Sequence, residues 1–172
     1  VAAQQLEDGS VLNDIKRAAT EHDLEPSRIE IEVTENCMLC HPENAIAVFK
    51  ELDKLGVSIS IDDFGTGYSS LAYLKKFSPD KLKIDRSFVQ DIVEDSGSRE
   101  IVIVACAMAK GLGMRVLAEG VETAEQVEQL RRADCSDAQG HLLGRPLPPT
   151  EFAALWLVRD LRRTGGSPAN SQ

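Results

Sequence analysis

No apolar run in this chain approaches the roughly 20 residues needed to span a bilayer, and no secretory signal pattern is visible. Positive charge is also short. Nineteen Lys and Arg stand against 28 Asp and Glu, a net charge of −9 at pH 7. That balance argues against a polyanion-binding surface, which needs a basic patch. It leaves room for a small phosphorylated ligand held through a metal ion. Cysteine is scarce, at Cys37, Cys40, Cys106 and Cys135. Cys37-Met38-Leu39-Cys40-His41 matches the CxxCH of haem attachment, but no second ligand set accompanies it. Cys106 sits inside a helical pattern and Cys135 stands alone, so zinc is not expected either. Reduced thiols and a cytoplasmic location are expected, in a parent free to carry a membrane anchor. The first residue is not Met, and the chain is expected to be a piece of a longer protein.

At 172 residues, 42% hydrophobic and 27% charged, it is long enough to bury a core and has a globular composition. The stretch that organises it is Ile59-Ser60-Ile61-Asp62-Asp63-Phe64-Gly65-Thr66-Gly67-Tyr68-Ser69-Ser70. Val57, Ile59 and Ile61 alternate with Ser58, Ser60 and Asp62, the period of a strand. Two adjacent carboxylates at a strand end are costly unless a positive group neutralises them. A hard divalent cation does so; the alternative is a capped turn at Asp62 beside a solvated Asp63.

Four further strands are expected, near Ile29–Glu35, Lys81–Asp85, Arg115–Gly120 and Asp137–Leu143. Residues 1–10 read as irregular, Ser10 as a helix cap, Pro42 as a helix start, and Thr123 to Gln126 as a capping box. The helix Ser98–Lys110 is expected to turn Ile101, Val104, Ala105 and Met108 inward, and Thr150 to begin a last helix. Strands alternating with helices mean a parallel sheet. Every strand pairs an apolar phase with a polar one: Glu30 and Glu32; Ser58, Ser60 and Asp62; Lys81, Lys83 and Asp85; Arg115 and Glu119; Asp137, Gln139 and His141. Strands of an open sheet covered on both faces would be nearly all apolar. A (β/α)8 TIM-type barrel, present as a partial barrel of about five βα units, is therefore favoured over an open doubly wound sheet. Residues 1–158 form the domain and 159–172 a polar tail. Glu32, Asp62, Lys83, Glu119 and Gln139 fall at or near C-terminal strand ends, where barrel enzymes keep their chemistry. Singly each reads as scaffold, such as a Glu32–Lys83 ion pair; together they read as a site.

Glu32-Val33-Thr34-Glu35, Asp62 to Ser70, Lys81-Leu82-Lys83-Ile84-Asp85, Ala118-Glu119-Gly120-Val121-Glu122, and Gln139-Gly140 followed by Arg145-Pro146 resemble the EAL domain. The resemblance runs from about residue 1 to residue 156. It implies hydrolysis of cyclic di-GMP to linear pGpG with Mg2+ or Mn2+, two ions in all. It implies Glu32 and Asp62 as metal ligands and Asp63 as a ligand of a second metal. Lys83 is implied to orient the attacking water and the phosphate. Glu119 is implied as general base or second-metal ligand. Gln139 would hold the water or metal shell, Glu35 would anchor the loop from Phe64 through Gly65, Thr66 and Gly67 to Ser70, and Glu122 would support from outside.

The family's Glu-Ala-Leu motif and the Asn of the following strand are absent from these residues. The chain alone is therefore expected to bind metal weakly, to have little or no activity, and to self-associate through open strand edges as a homodimer or larger species. An upstream GGDEF or sensory domain is expected in the parent. The competing readings are a receptor that binds cyclic di-GMP without cutting it, a protein-interaction module, and a different metal-assisted enzyme with Lys83 as base.

Overall fold

Residues 1–40, 42–67 and 71–157 are described in this computed structural model. Helices α1 (Ala3–Glu7) and α2 (Ser10–Glu21) come first. The opening ten residues are thus not irregular, and Ser10 is not the cap. Gly9 takes the cap position at φ 70°, and the Asp8 carboxylate accepts from the Ser10 amide at 2.8 Å. There follow β1 (Glu30–Thr34), α3 (Glu35–Cys40), α4 (Pro42–Leu55), β2 (Ser58–Phe64), α5 (Leu71–Phe77), β3 (Lys81–Ile84) and α6 (Arg86–Asp91). Then come α7 (Ser96–Gly111), β4 (Arg115–Ala118), α8 (Ala124–Arg132), β5 (Asp137–Ala138) and α9 (Pro149–Phe152). The capping box holds: Thr123 Oγ1 accepts from the Gln126 amide, and Gln126 Oε1 accepts from the amides of Thr123 and Glu122. His41 and the tail from residue 158 lie outside the described residues.

The five strands are parallel and lie in the order β1-β2-β3-β4-β5, so neighbours in sequence are neighbours in space. Parallel neighbours require a crossover between them, and the helices supply it. The apolar phase of each strand packs under the helices. Val33, Ile61, Leu82, Ile84 and Ala118 are fully buried there, against Phe49 and Leu52 of α4 and Val102, Ala105 and Ala109 of α7. Phe49 meets Phe77 edge to face at 5.4 Å.

The polar phase faces the other side and is tied together by charge. Lys81 Nζ lies 2.6 Å from Glu30 Oε2, two strands away across β2, where Ser60 leaves room. Arg115 grips both carboxylate oxygens of Asp137 at 2.8 Å. A sheet that carries its ion pairs on one face and its helices on the other is part of a barrel wall.

Three expectations fail for local reasons. Helix α7 buries Ser98, Val102, Ala105, Cys106 and Ala109; of the four residues expected inward Ala105 is buried and Met108 packs on the core, whereas Ile101 and Val104 are 41% and 63% exposed. Ile101 to Val104 is an unbroken apolar run, so periodicity could not phase it; the small side chains Ala105 and Ala109 allow the closer approach to the sheet. Glu35 and Asp85 leave their strands to start α3 and to cap α6, the latter accepting from the Ser87 amide at 3.0 Å. The fifth strand ends at Ala138 rather than Leu143, because the chain turns at Gly140. Among the described residues no helix is long and apolar enough to cross a membrane.

Candidate active site

Lys83 is the hub. Its ammonium, on a side chain only 6% exposed, lies 2.7 Å from Glu32 of β1, 2.9 Å from Asp62 of β2 and 2.9 Å from Glu119 just after β4. Burial alone would push the Lys83 ammonium down. The three carboxylates outweigh it and hold the pKa far above the usual lysine range. Lys83 therefore stays charged at any physiological pH. Asp62 Oδ1 is sealed from solvent, so the Lys83 ammonium at 2.9 Å is what offsets its charge.

Asp63 follows in a left-handed backbone conformation at φ 55°, which Asp tolerates, and the pairing of β2 with β3 shifts register between Ile61 and Phe64. The irregularity brings two consecutive carboxylates to one strand end. Burial, then the neighbouring charges of Asp62 and Asp85, raise the pKa of Asp63. The basin thus holds more negative charge than one ammonium balances. Asp85, expected within the strand, is a further member; an Asp two residues before Ser87 at a strand end is a cap signal that marks it.

The loop after β2 is built on close contacts. Gly65, at φ 98°, packs so tightly on Phe88 that a Cβ there would come within 2.7 Å of the ring. Thr66 closes a turn through its amide and hydroxyl, both donating to the Asp63 carbonyl at 3.3 and 2.9 Å. Phe64 is buried. Glu35 is only 4% exposed, and among the described residues neither of its carboxylate oxygens has a hydrogen-bond partner. It lies against Gly67, where a Cβ would be 3.3 Å from its carboxyl carbon. Tyr68, Ser69 and Ser70 fall outside the described residues.

Gln139 and Glu122 stand apart from the Lys83 cluster. Glu122 is exposed and pairs with Arg86 at 3.2 Å. Gln139 continues the ladder beyond β5 by its backbone, donating to Ala118 and accepting from Val121, and its residue is exposed. Both line a cleft of about 660 Å³ that also includes Arg86, Arg115, His141 and Arg145. That volume suits a small ligand. None of Glu32, Asp62, Lys83 and Glu119 lines it.

Gly140 fixes the cleft floor. A Cβ there would fall 2.1 Å from the Val121 carbonyl oxygen, which accepts from the Leu142 amide, and 2.2 Å from its nitrogen, which donates to the Gln139 carbonyl. Gly140→Ala is expected to cost about 3 kcal/mol in urea unfolding, the upper end for overpacking. A loss below about 0.5 kcal/mol, the scatter of neutral surface changes, would contradict this packing.

The residues present fit a divalent cation. The donors are hard carboxylate oxygens, and together they carry more negative charge than the one Lys83 ammonium balances. Among the described residues no three His, Cys, Asp or Glu side chains form a ready-made cage. The carboxylates are instead drawn onto Lys83.

Comparison with known proteins gives the family. The EAL domain model matches residues 1–146. The chain belongs to the EAL domain family. It is 41% identical over 154 residues to the bifunctional diguanylate cyclase/cyclic di-GMP phosphodiesterase MucR of Pseudomonas aeruginosa, covering 90% of this chain and 22% of MucR. It is 44% identical over 146 residues to the cyclic di-GMP phosphodiesterase NbdA of the same organism, covering 85% and 19%. The chain thus spans about a fifth of the length of these relatives. The solved MucR phosphodiesterase in complex with c-di-GMP superposes with a TM-score of 0.84 at 41% identity, covering 88% of this chain and 62% of that one. Klebsiella pneumoniae BlrP1, in a manganese/cy-diGMP complex, gives 0.74 at 35% identity, covering 80% and 35%. EAL domains are TIM-type barrels, and the five parallel strands here are a partial barrel of that kind.

Proposed function

We propose that the complete EAL domain to which this chain belongs hydrolyses cyclic di-GMP to linear pGpG, using Mg2+ or Mn2+. The observation that carries the reading is the Lys83 ammonium held at 2.7 to 2.9 Å from carboxylates of β1, of β2 and of the residue just after β4. It is supported by relatives named as cyclic di-GMP phosphodiesterases and by a similar structure holding manganese and the dinucleotide. Glu32 and Asp62 would hold one ion and Asp63 a second. Bound divalent ions supply a water of lowered pKa and neutralise charge at the phosphate.

The residues of the chain then divide the work. With no metal bound, its carboxylate neighbours keep Lys83 protonated, which argues against Lys83 as the base. It supplies fixed positive charge where the phosphate's negative charge grows. Glu119, paired with Lys83 at 2.9 Å, is the carboxylate placed to take the water's proton or to join the second ion. Glu35 braces the loop at Gly67, while Gln139 and Glu122 shape the rim of the cleft. The reduced thiols expected from the sequence fit the cytoplasm, with a GGDEF or sensory domain upstream. The test is chromatography of cyclic di-GMP incubated with the full-length protein, with and without Mn2+. Conversion to pGpG only with the metal is expected; binding without conversion would assign the domain as a receptor. The 172-residue chain by itself, which contains neither Glu-Ala-Leu nor the strand-end Asn, is expected to bind metal weakly and turn over little.

We propose a surface for the expected self-association. Ile101 and Val104 lie on one side of α7 and Leu112 just past its end, and they are 41%, 63% and 39% exposed. A second copy of the chain covering this stripe would bury it. Val104→Glu is expected to shift the protein at least tenfold toward monomer in sedimentation equilibrium; an unchanged distribution would exclude this face.

A further inference from the structure

Arg86 opens α6, and its side chain crosses from that helix to the turn that carries Glu119. The stem packs on Gly120, where a Cβ would fall 2.4 Å from Arg86 Cγ and 3.0 Å from its Cβ and Cδ. Gly120 sits at φ 71°, a left-handed conformation that glycine adopts freely, and its bare Cα leaves room for the arginine. With the Gln90 side-chain amide oriented to satisfy its neighbours, its oxygen accepts from Arg86 Nε at 2.8 Å and Nη2 at 2.7 Å. Arg86 Nη2 also donates to Glu122 Oε1 at 3.2 Å. The ends of the same turn are held by the backbone. The Glu119 amide donates to the Ile84 carbonyl at 3.2 Å, and the Glu122 amide to Gln126 Oε1 at 2.7 Å. An exposed ion pair contributes little alone, and the Arg86 and Glu122 side chains are 58% and 42% exposed. The packing on Gly120 and the bond to Gln90 are what keep the guanidinium in one place. Its Nε–Nη2 edge is engaged by the protein, although Arg86 also lines the cleft.

We propose that Arg86 is a positioning residue, which clamps the turn at residues 119–122 so that the Glu119 carboxylate stays 2.9 Å from Lys83. The proposal rests on the reading of the Lys83 cluster as a phosphodiesterase site. Arg86 touches no group of that cluster; it acts through Gly120 and Glu122 on the residue beside them. A reacting group displaced by about 1 Å can cost roughly a hundredfold in rate, so a loosened turn is read in turnover. Substrate affinity changes little, because the rest of the cleft stays as it is.

The test is steady-state hydrolysis of cyclic di-GMP by the full-length protein, joined to amide hydrogen exchange. Arg86→Ala is expected to lower kcat at least about tenfold while KM stays within about threefold. Arg86→Lys, which keeps a long stem over Gly120 and a cation for Glu122, should restore most of the loss. Adding Glu122→Gln to Arg86→Ala should lower kcat no further, because the two side chains act as one clamp. Exchange at residues 119–122 should quicken at least about tenfold in Arg86→Ala, with β3 as protected as before. An unchanged kcat would overturn the proposal. So would a risen KM at constant kcat, which would make Arg86 a ligand contact, or a further tenfold loss in the double variant. If the unsubstituted protein does not cut cyclic di-GMP, the reading of the site fails by itself. Exchange then decides the clamp, and unchanged exchange at residues 119–122 would overturn it.

Discussion

Lys83→Met is expected to destabilise the protein by about 3 kcal/mol, a fall in Tm of roughly 10 °C. The substitution nearly preserves side-chain volume, so the loss reports charge rather than packing. Removing the ammonium leaves Glu32, Asp62 and Glu119 facing one another with no counter-charge. Asp62 and Glu119 side chains are each 21% exposed and account for most of the penalty, whereas Glu32, at 51%, is screened by solvent. The pH dependence has a definite sign. The folded-state pKa of Lys83 is raised above the ordinary 10.5, so its stabilisation is complete below about pH 10 and fades as pH climbs toward the folded value. The difference between the two proteins should therefore be flat from neutral pH to about 9 and shrink only in strong alkali. Equal unfolding curves at pH 7 would show that the three contacts do no stabilising work.

Asp62→Asn is expected to lower kcat for cyclic di-GMP in the full-length protein by at least about a thousandfold. The change keeps the shape of the side chain and one acceptor oxygen but removes the charge. The Asp62 carboxylate offers a charged oxygen ligand that it shares with the Lys83 ammonium, and Asn in its place offers a far weaker ligand to a hard cation. Ligand binding should survive better than turnover, because the cleft rim at Gln139 and Arg145 is untouched. A kcat within tenfold of the unsubstituted protein would remove Asp62 from the reaction.

The polar face of the sheet was legible from the residues alone. Glu30-Ile31-Glu32-Val33 and Lys81-Leu82-Lys83-Ile84 alternate so cleanly that the phase could go only one way, and their inward members do meet as ion pairs. The Thr123 capping box was equally plain, because its chemistry is local. The phase of α7 was not legible, since four successive apolar residues satisfy any helical register. The left-handed Asp63 was hidden as well; a register shift depends on how β3 pairs with β2, which no local pattern encodes. Glu35 was read as the last strand residue because the alternation ran through it, yet it starts a helix and so turns its carboxylate toward the loop at Gly67. The arrest of β5 at Ala138 follows from Gly140 lying on the Val121 backbone, a contact between distant positions in the chain that only the fold brings together.

The claim beneath all of this is that carboxylates from separate strands grip divalent ions. Electron paramagnetic resonance of Mn2+ titrated into the full-length protein measures it without any substrate. Affinity should fall at least tenfold in Asp62→Asn and again in Glu32→Gln. Mn2+ bound with unchanged affinity in both variants would place the metal elsewhere and contradict the account.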